Sequence, residues 1–249
     1  MLDCYYMDIS GDCSKEQSLA LYEILSLDRR NRIDKLKDPR IAAKQLKAGA
    51  FLQYVIGNHI GVPAQDVEFA YNEYGKPMLK KPGCNDESQS MDLHFNLSHS
   101  GDYAVVAISD KPVGIDIERK RKDRIKIAKR CFCREEYEDI ISRNDELSRE
   151  EKFLEYWTLK EAYIKYAGKG LAIPLNSFLV VDNNDGYTIV PVEDNVQLGN
   201  DVLLYSFKLN QDYRISVCVS KENVWRPDGV APNICDIVKK TGIYEVLNG

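Results

Sequence analysis

The segment "VGIDIE", residues 113–118, constrains the fold of this chain more than any other stretch. Valine and isoleucine at every second position alternate with Gly114, Asp116 and Glu118, which is the period of a β-strand. Asp116 and Glu118 therefore point to the same side of the strand, roughly 6–7 Å apart, where their charges repel each other. An exposed strand face explains most such pairs. The alternative is a cation held between the two carboxylates.

A third acid favours the cation. Glu161 falls at three- and four-residue steps on the helical face that carries Leu154 and Trp157, which a helix normally buries. A buried carboxylate without a partner is costly. Lys165, one turn later, offers an i,i+4 salt bridge as the structural explanation. Three carboxylates without a nearby Cys or His instead favour a hard cation such as Mg²⁺, which completes its shell with water and substrate phosphates.

Cationic groups and hydrogen-bond donors that suit a phosphate occur elsewhere in the chain. They are Arg29, Arg30 and Arg32 before the second predicted helix, Lys44 inside it, Lys76 in a glycine–proline turn, and Ser98, His99 and Ser100 at a strand end. Each also has an ordinary interpretation, since arginine clusters are usually a solvated face and a single histidine is usually structural.

The order of predicted elements indicates two similar α+β halves that meet near residues 110–112, with boundaries at 1–111 and 112–222 and a tail at 223–249. Helices are predicted from Ser14 to about Leu27, from Asp38 to Gly61, over about 124–142 and from Ser148 to Gly168. Strands are predicted at "LDCYYMDI", "VEFAYN", "LHFNLS", "YAVVAIS", "VGIDIE", "FLVV", "VLLYSFKL" and "YRISVCVS", and a polar loop over 80–90, "KKPGCNDESQS".

Composition narrows the class of protein. The 249 residues are 44% hydrophobic and 29% charged, with a net charge of −5, which argues against nucleic acid or an anionic membrane as the main partner. The sequence shows neither a signal peptide nor an apolar run of about 20 residues. Seven cysteines without a Cys-x-x-Cys pair predict reduced thiols and a cytoplasmic protein.

Four motifs of this chain resemble those of a known enzyme family. "GKP", "FNLSHSGDYAVVAIS", "VGIDIE" and "FLEYWTLKEAYIKYAGKGL" occur in the order and approximate spacing of the Sfp-type 4′-phosphopantetheinyl transferases, which this chain resembles. The motifs span about 75–171, and weaker likeness extends from the first strand to about residue 220. The resemblance implies a pseudo-twofold pair of α+β halves with coenzyme A in the cleft between them. The first half would hold the adenine and 3′-phosphate, and the second half the metal and the catalytic helix.

The resemblance also implies roles for individual residues. Asp116, Glu118 and Glu161 would bind Mg²⁺, and Asp116, Glu161 and Lys165 would be catalytic. The coenzyme A contacts would be Lys165 at the pyrophosphate, Ser98 and His99 at other phosphates, Lys76 and Pro77 at the adenine end, and Arg29 and Arg32 at the 3′-phosphate. Lys44, in "KQLKAG", stands where the family often has arginine. Lys160 would have an orienting role at the same site, since it is rotated roughly 100° from Glu161 around the helix.

The implied reaction is attack of a carrier-protein serine on the β-phosphorus of coenzyme A, with release of 3′,5′-ADP and with Glu161, or a water it holds, as the base. The basic segment "RKRKDRIKIAKR" predicts docking of an acidic carrier protein near Arg119–Phe132, and the enzyme is expected to be a monomer.

Two alternatives remain. Asp-x-Glu-x-Lys in "IDIERK" also suits a metal-dependent nuclease, although the net charge of −5 and the inward-facing Glu161 argue against it. A non-catalytic adaptor that only binds carrier proteins is the second, and the intact acids argue against that.

Overall fold

The computed structural model describes residues 2–80, 92–121, 124–183, 186–193, 198–199 and 201–221. The predicted loop over 80–90, apart from Lys80, and the tail over 223–249 lie outside these ranges, as does Lys122 of the basic segment.

The elements follow each other in two similar series. The first series is β1 (Leu2–Asp8), α1 (Lys15–Ile24), α2 (Leu27–Ile33), α3 (Pro39–Ile60), β2 (Phe69–Tyr71), β3 (Pro77–Leu79), β4 (His94–Ser100) and β5 (Tyr103–Ser109). The second series is β6 (Val113–Arg119), α4 (Ile125–Cys131), α5 (Arg134–Ile141), α6 (Glu146–Ala167), β7 (Phe178–Asn183), β8 (Gly186–Pro191), β9 (Val202–Lys208) and β10 (Tyr213–Ser220).

Capping residues in the sequence predicted the ends of several helices correctly. The capping box at Ser14 is present, and α3 begins after Asp38 and ends at Gly61, whose φ of 71° is the left-handed conformation that favours glycine. The first helix is shorter than predicted because α1 ends at Ile24, and the arginine cluster lies on the separate helix α2.

Three details of the second series differ from prediction. α6 begins at Glu146 and not at Ser148, because Asp145 is the N-cap and its side chain accepts the backbone N–H of Ser148. The helical region over 124–142 is two helices, interrupted at Phe132 and Cys133. Strand β8 was not predicted. The end of α6 at Gly168, with φ of 68°, is confirmed.

The sheets repeat one topology. The first has the order β1-β5-β4, the second has the order β6-β10-β9-β8-β7, and β2 and β3 form a separate hairpin. In both large sheets the first strand of the series pairs with the last, which pairs with the one before it. The two long helices α3 and α6, of 22 residues each, occupy matching places in the two series. The predicted α+β class with two similar halves is confirmed.

The core is layered. α3 packs on one face of the first sheet, and the buried cluster between them includes Leu52 and Val106. α6 packs on one face of the second sheet through residues such as Leu159. A third cluster joins the remaining faces of the two sheets and includes Val105 and Ile115. No helix within the described ranges has both the length and the apolar character that a membrane span requires.

The two sheets are also joined along β4 and β6 by polar side chains. Asn96, Ser98 and Ser100, at alternate positions of β4, accept hydrogen bonds from successive backbone N–H groups on one edge of β6. The donors are Ile115 at 3.0 Å, Ile117 at 3.4 Å and Arg119 at 3.1 Å. We call this arrangement the β4–β6 ladder. It replaces the backbone pairing that this edge of β6 would otherwise need.

Gly114 sets the distance between β6 and α6. A Cβ atom there would overlap the carbonyl oxygen of Ala162 and the backbone nitrogen of Tyr166. The helix therefore approaches the strand closely where Gly114 has no side chain, and Asp116, two residues on, faces the same helix.

Candidate active site

Asp116 is the most enclosed of the three predicted acids, with 4% of its surface exposed. Its Oδ1 accepts hydrogen bonds from Ser98 Oγ at 2.8 Å and Lys165 Nζ at 2.6 Å. Its Oδ2 is buried and has no hydrogen-bond partner among the residues that the structure describes. Burial raises the pKa of Asp116 despite the neighbouring Lys165. One oxygen of this carboxylate is thus open to a further ligand.

Glu161 faces the same region from α6. Burial, and secondarily the charge of Asp116, raise the pKa of Glu161. The i,i+4 salt bridge that would have explained Glu161 structurally is not formed, because in the described part of the chain Lys165 pairs with Asp116 instead. Glu161 is therefore a half-buried carboxylate beside another carboxylate, as the cation hypothesis requires.

Glu118 occupies the next position on the same face of β6. Its Oε2 accepts a hydrogen bond from Ser100 Oγ at 2.7 Å and forms an ion pair with Arg124 at 3.3 Å. Arg124, at the start of α4, lies 5.7 Å from the Trp157 ring of α6, so β6, α4 and α6 meet here.

A metal ion was predicted for these three acids. Over the described ranges, no three or more His, Cys, Asp and Glu side chains lie close enough together to hold a metal ion. Lys165 and Arg124 neutralise Asp116 and Glu118 instead. The residues nevertheless fit a hard cation, because the donor set is entirely oxygen and Asp116 Oδ2 is buried without a partner.

A cleft of about 320 Å³ opens between the two halves next to this region. Its lining includes Tyr74, Lys76, Pro77, Leu97, Glu161 and Lys165. The structure thus brings the glycine–proline turn of the first half together with the acid and the lysine of α6.

Lys76 lies in the wall of the cleft, but its ammonium group points into the protein. Nζ donates to the backbone carbonyls of Lys165 at 2.6 Å and Tyr166 at 3.2 Å, at the C-terminal end of α6. Asn72, from the same turn, donates to the carbonyl of Gly168 at 3.0 Å. Burial lowers the pKa of Lys76 to about 8. The turn therefore satisfies helix-end carbonyls that would otherwise lack partners.

Cations gather on the α3 side of β4. Arg29 is partly buried, has no acidic partner among the ion pairs of the described residues, and has its pKa lowered by burial. The guanidinium of Arg32 lies 4.8 Å from the Tyr71 ring. Lys165 and Arg29, after burial itself, lower the pKa of His99. His99 Nε2 accepts from Gln45 at 3.0 Å. This region suits an anion.

Lys44 and Arg30 are engaged with the protein. Lys44 Nζ donates to the carbonyl of Gly101 at 2.7 Å and pairs with Asp102 at 2.9 Å. Arg30 donates to the backbone carbonyls of Leu25 and Glu23. Lys44 still lies close enough to His99 to lower its pKa.

Lys160 requires a correction. It was expected at the coenzyme A site, but its side chain is 0% exposed and pairs with Glu136, itself 2% exposed, at 2.8 Å. Nζ also donates to the carbonyls of Leu175 and Phe178. The rotation of about one hundred degrees from Glu161 turns Lys160 into the core rather than toward the cleft.

The residues that support the acids carry weaker signals in the sequence than the acids themselves. The sequence predicts Ser100 only as a donor, and it predicts no role at the site for Arg124 or Gly114. The alternation Asn96-x-Ser98-x-Ser100 was a readable signal, because three polar residues on one strand face need partners on a neighbouring element.

Comparisons with known proteins cover most of the chain. Residues 112–218 match the model of the 4′-phosphopantetheinyl transferase superfamily, and residues 12–111 match the model of the 4′-phosphopantetheinyl transferase N-terminal region. The 4′-phosphopantetheinyl transferase gsp of Aneurinibacillus migulanus is 31% identical over 218 residues, 88% of this chain and 86% of that protein. The 4′-phosphopantetheinyl transferase Sfp of Bacillus subtilis (strain 168) is 29% identical over 215 residues, 86% of this chain and 90% of that protein.

A solved structure of the holo-[acyl-carrier-protein] synthase of Thermotoga maritima aligns with 44% of this chain and 62% of that chain, at 20% identity and a TM-score of 0.36. That score is too low for a structural argument. The relatives give no support to a nuclease or to a non-catalytic adaptor. The chain belongs to the 4′-phosphopantetheinyl transferase superfamily and is an enzyme of the transferase class.

Proposed function

We propose that this enzyme transfers the 4′-phosphopantetheine group of coenzyme A to a serine of an acyl or peptidyl carrier protein, releases 3′,5′-ADP and requires Mg²⁺. The observation that carries the proposal is Asp116, whose buried Oδ2 has no partner among the described residues and which lies beside Lys165 and Glu161, two residues that line the cleft.

The cationic residues support binding of a phosphate-rich donor. Arg29 is a partly buried cation without an acidic partner in the described ranges, and an anion would offset the cost of its partial burial. His99 lies close enough to Arg29 and Lys165 for both to lower its pKa, so these two cations make the surroundings of His99 positive. We propose that these residues and Arg32 bind the coenzyme A phosphates and that Pro77 lies at the adenine end.

The acids support a divalent cation. Asp116, Glu118 and Glu161 would hold Mg²⁺, which when bound neutralises negative charge on phosphoryl oxygens. Lys165 remains partly accessible in its pair with Asp116, because 26% of its side chain is exposed. It can exchange Asp116 for a phosphate oxygen and stabilise the charge that develops there.

Glu161 is the proposed base for the carrier serine. Its carboxylate lines the cleft together with Lys165, where a carrier serine would approach. It accepts the hydroxyl proton directly or through a water.

The surface next to Glu118 is the proposed docking site for the carrier. Helix α4 exposes Lys129, Arg130 and Ile127 to solvent. Lys120, in contrast, is mostly covered and lies 3.9 Å from Glu150. An acidic carrier would therefore meet α4 rather than Lys120. Both walls of the cleft come from one chain, which supports a monomer. The five described cysteines are free, which suits the cytoplasm.

Intact-mass measurement tests the function. An apo carrier protein incubated with enzyme, coenzyme A and Mg²⁺ should gain one phosphopantetheine, and a carrier with its acceptor serine changed to alanine should gain nothing. Plasmid DNA under the same conditions should remain intact. Carriers that keep their apo mass while the plasmid is degraded would contradict the transferase and favour the nuclease.

A further inference from the structure

We infer that Ser98 and Ser100 are positioning residues, which hold the carboxylates of Asp116 and Glu118 in place for the cation through the β4–β6 ladder. The inference rests on the proposed metal site and goes beyond it, because it gives both serines a role toward the acids instead of toward a phosphate of coenzyme A.

The backbone of β6 fixes the direction of each serine hydroxyl. Ser100 Oγ accepts the N–H of Arg119 at 3.1 Å, so its own hydrogen is free to be donated to Glu118 Oε2 at 2.7 Å. A serine hydroxyl has one hydrogen and two acceptor positions, and this arrangement uses the hydrogen for the carboxylate.

Ser98 uses its hydroxyl in three hydrogen bonds to described residues, one more than Ser100. Its Oγ accepts from Ile117 N–H at 3.4 Å and from Lys165 Nζ at 2.8 Å, and it donates its hydrogen to Asp116 Oδ1 at 2.8 Å. Ser98 has only 6% of its surface exposed. With its single hydrogen on Asp116, Ser98 cannot also donate to a phosphate.

The bond to Ser98 determines which oxygen of Asp116 is available. Oδ1 is occupied by Ser98 and Lys165, which leaves the buried Oδ2 as the open oxygen. Ser100 occupies Oε2 of Glu118 in the same way. Each serine thus fixes the rotation of one carboxylate, which is what the outer partners of metal ligands do in proteins.

Asn96 provides a matched control. It is the third member of the ladder, and its Oδ1 accepts the N–H of Ile115 at 3.0 Å. The position on β6 that corresponds to Asp116 and Glu118 is Gly114, which has no side chain to orient. Asn96→Ala therefore removes a ladder bond without touching an acid.

The experiment measures Mn²⁺ binding to the protein without coenzyme A, by the electron paramagnetic resonance signal of free Mn²⁺. Ser98→Ala and Ser100→Ala should each raise the Kd for Mn²⁺ about 10–100-fold, the usual effect of losing an outer partner of a metal ligand. Ser100→Thr, which keeps the hydroxyl, and Asn96→Ala should bind Mn²⁺ like the wild type. Asp116→Asn should abolish the binding that the serines support.

A second measurement separates positioning from ligand contact. Calorimetric titration with coenzyme A in EDTA should give the same Kd for Ser98→Ala and the wild type, because no metal is then present to be positioned. A Ser98→Ala protein that loses coenzyme A affinity in EDTA would show that Ser98 contacts the ligand and would overturn its positioning role.

The remaining outcomes are also decisive. Unchanged Mn²⁺ affinity in both alanine variants, or equal weakening in Asn96→Ala or Ser100→Thr, would overturn the inference and leave the transferase proposal intact. Absence of Asp116-dependent Mn²⁺ binding in the wild type would overturn the metal site and the inference together.

Discussion

Nζ of Lys165 lies 2.6 Å from Oδ1 of Asp116, so the lysine of α6 bonds across to β6 and not to Glu161, which precedes it by one helical turn. This choice of partner decides how Glu161 must be interpreted. An acid paired with Lys165 would stabilise the fold, whereas an acid beside Asp116 without that cation costs stability and is kept for another reason.

Glu161→Gln tests that interpretation. We expect an unfolding free energy equal to or higher than that of the wild type, because repulsion from Asp116 is relieved, and a kcat lower by several orders of magnitude. Glu146→Gln, at the exposed start of the same helix, serves as the control and should leave both unchanged. Urea unfolding and a carrier-modification assay measure the two effects. A clearly destabilised Glu161→Gln protein that still modifies its carrier would contradict the catalytic role.

Gly114→Ala tests the contact between β6 and α6. The added methyl group overlaps the backbone of α6 at Ala162 and Tyr166, so the helix must move away from the strand. We expect a loss of about 1–3 kcal/mol of unfolding free energy, or more, since backbone cannot yield as a side chain does. Gly11→Ala, where a Cβ meets nothing within 4 Å, should change stability by less than about 0.5 kcal/mol. Equal denaturation midpoints for the two variants would show that the close approach is not needed.

Lys160→Met tests the buried pair with Glu136. Removing one partner strands a buried charge, and we expect a loss on the order of 3–5 kcal/mol. The double variant with Glu136→Gln should lose less than the sum of the single changes, because neither partner is then left charged. Under conditions where Lys160→Met is folded, its KM for coenzyme A should equal that of the wild type. A selective rise in that KM, with little loss of stability, would restore Lys160 to the ligand site.

Lys76 should give stability a measurable pH dependence. The pKa is lowered from 10.5 to about 8 in the folded protein, so between these values the unfolded chain binds more protons at this residue. The contribution of Lys76 to the unfolding free energy therefore rises as pH increases from about 8 to 10.5, with a slope of at most about 1.4 kcal/mol per pH unit. The difference in stability between wild type and Lys76→Met, measured by urea unfolding across this range, should follow that slope. A constant difference would show that Lys76 is not buried as described.

Charge reversal on α4 tests the docking surface. Lys129→Glu and Arg130→Glu should each raise the KM for the carrier, more at low ionic strength than at high, and leave the KM for coenzyme A unchanged. Lys15→Glu, at the exposed start of α1, is the matched reversal and should leave both constants unchanged. An unaltered carrier KM in both α4 variants would place the docking site elsewhere.

Structural features that depend on a few neighbouring residues, such as helix ends, were predictable from the sequence. The left-handed glycines Gly61 and Gly168 ended both long helices where expected, and Asp38 with Pro39 marked the start of α3. The predicted start of α6 was wrong because Asp145 and Ser148 are both residue types that cap helices well. Only the hydrogen bond from Ser148 N–H to the Asp145 side chain shows that the helix uses Asp145.

Features that depend on distant partners were not predictable. Lys160 and Glu161 are adjacent in the sequence, yet one is buried with Glu136 and the other faces the cleft. Periodicity separates their directions but does not reveal what each direction meets. In the same way, the period of Ser98 and Ser100 was readable, but the register that sets them against Asp116 and Glu118 depends on how two sheets dock.

The matching strand order has a consequence for how the chain folds. Leu2 pairs with Ser109, and Val113 pairs with Val219, so each large sheet contains a pairing between the first and the last strand of its series along the chain. Such pairings are distant in sequence and form slowly, because a long loop must close before the first contact is gained. The first pairing spans residues 2–109 and the second spans residues 113–219, so neither loop lies within the other. All strands of the first sheet have therefore been synthesised once about 110 residues have left the ribosome. Asp116 and Glu118 lie on β6, so their placement against the ladder follows when the second sheet docks on the first.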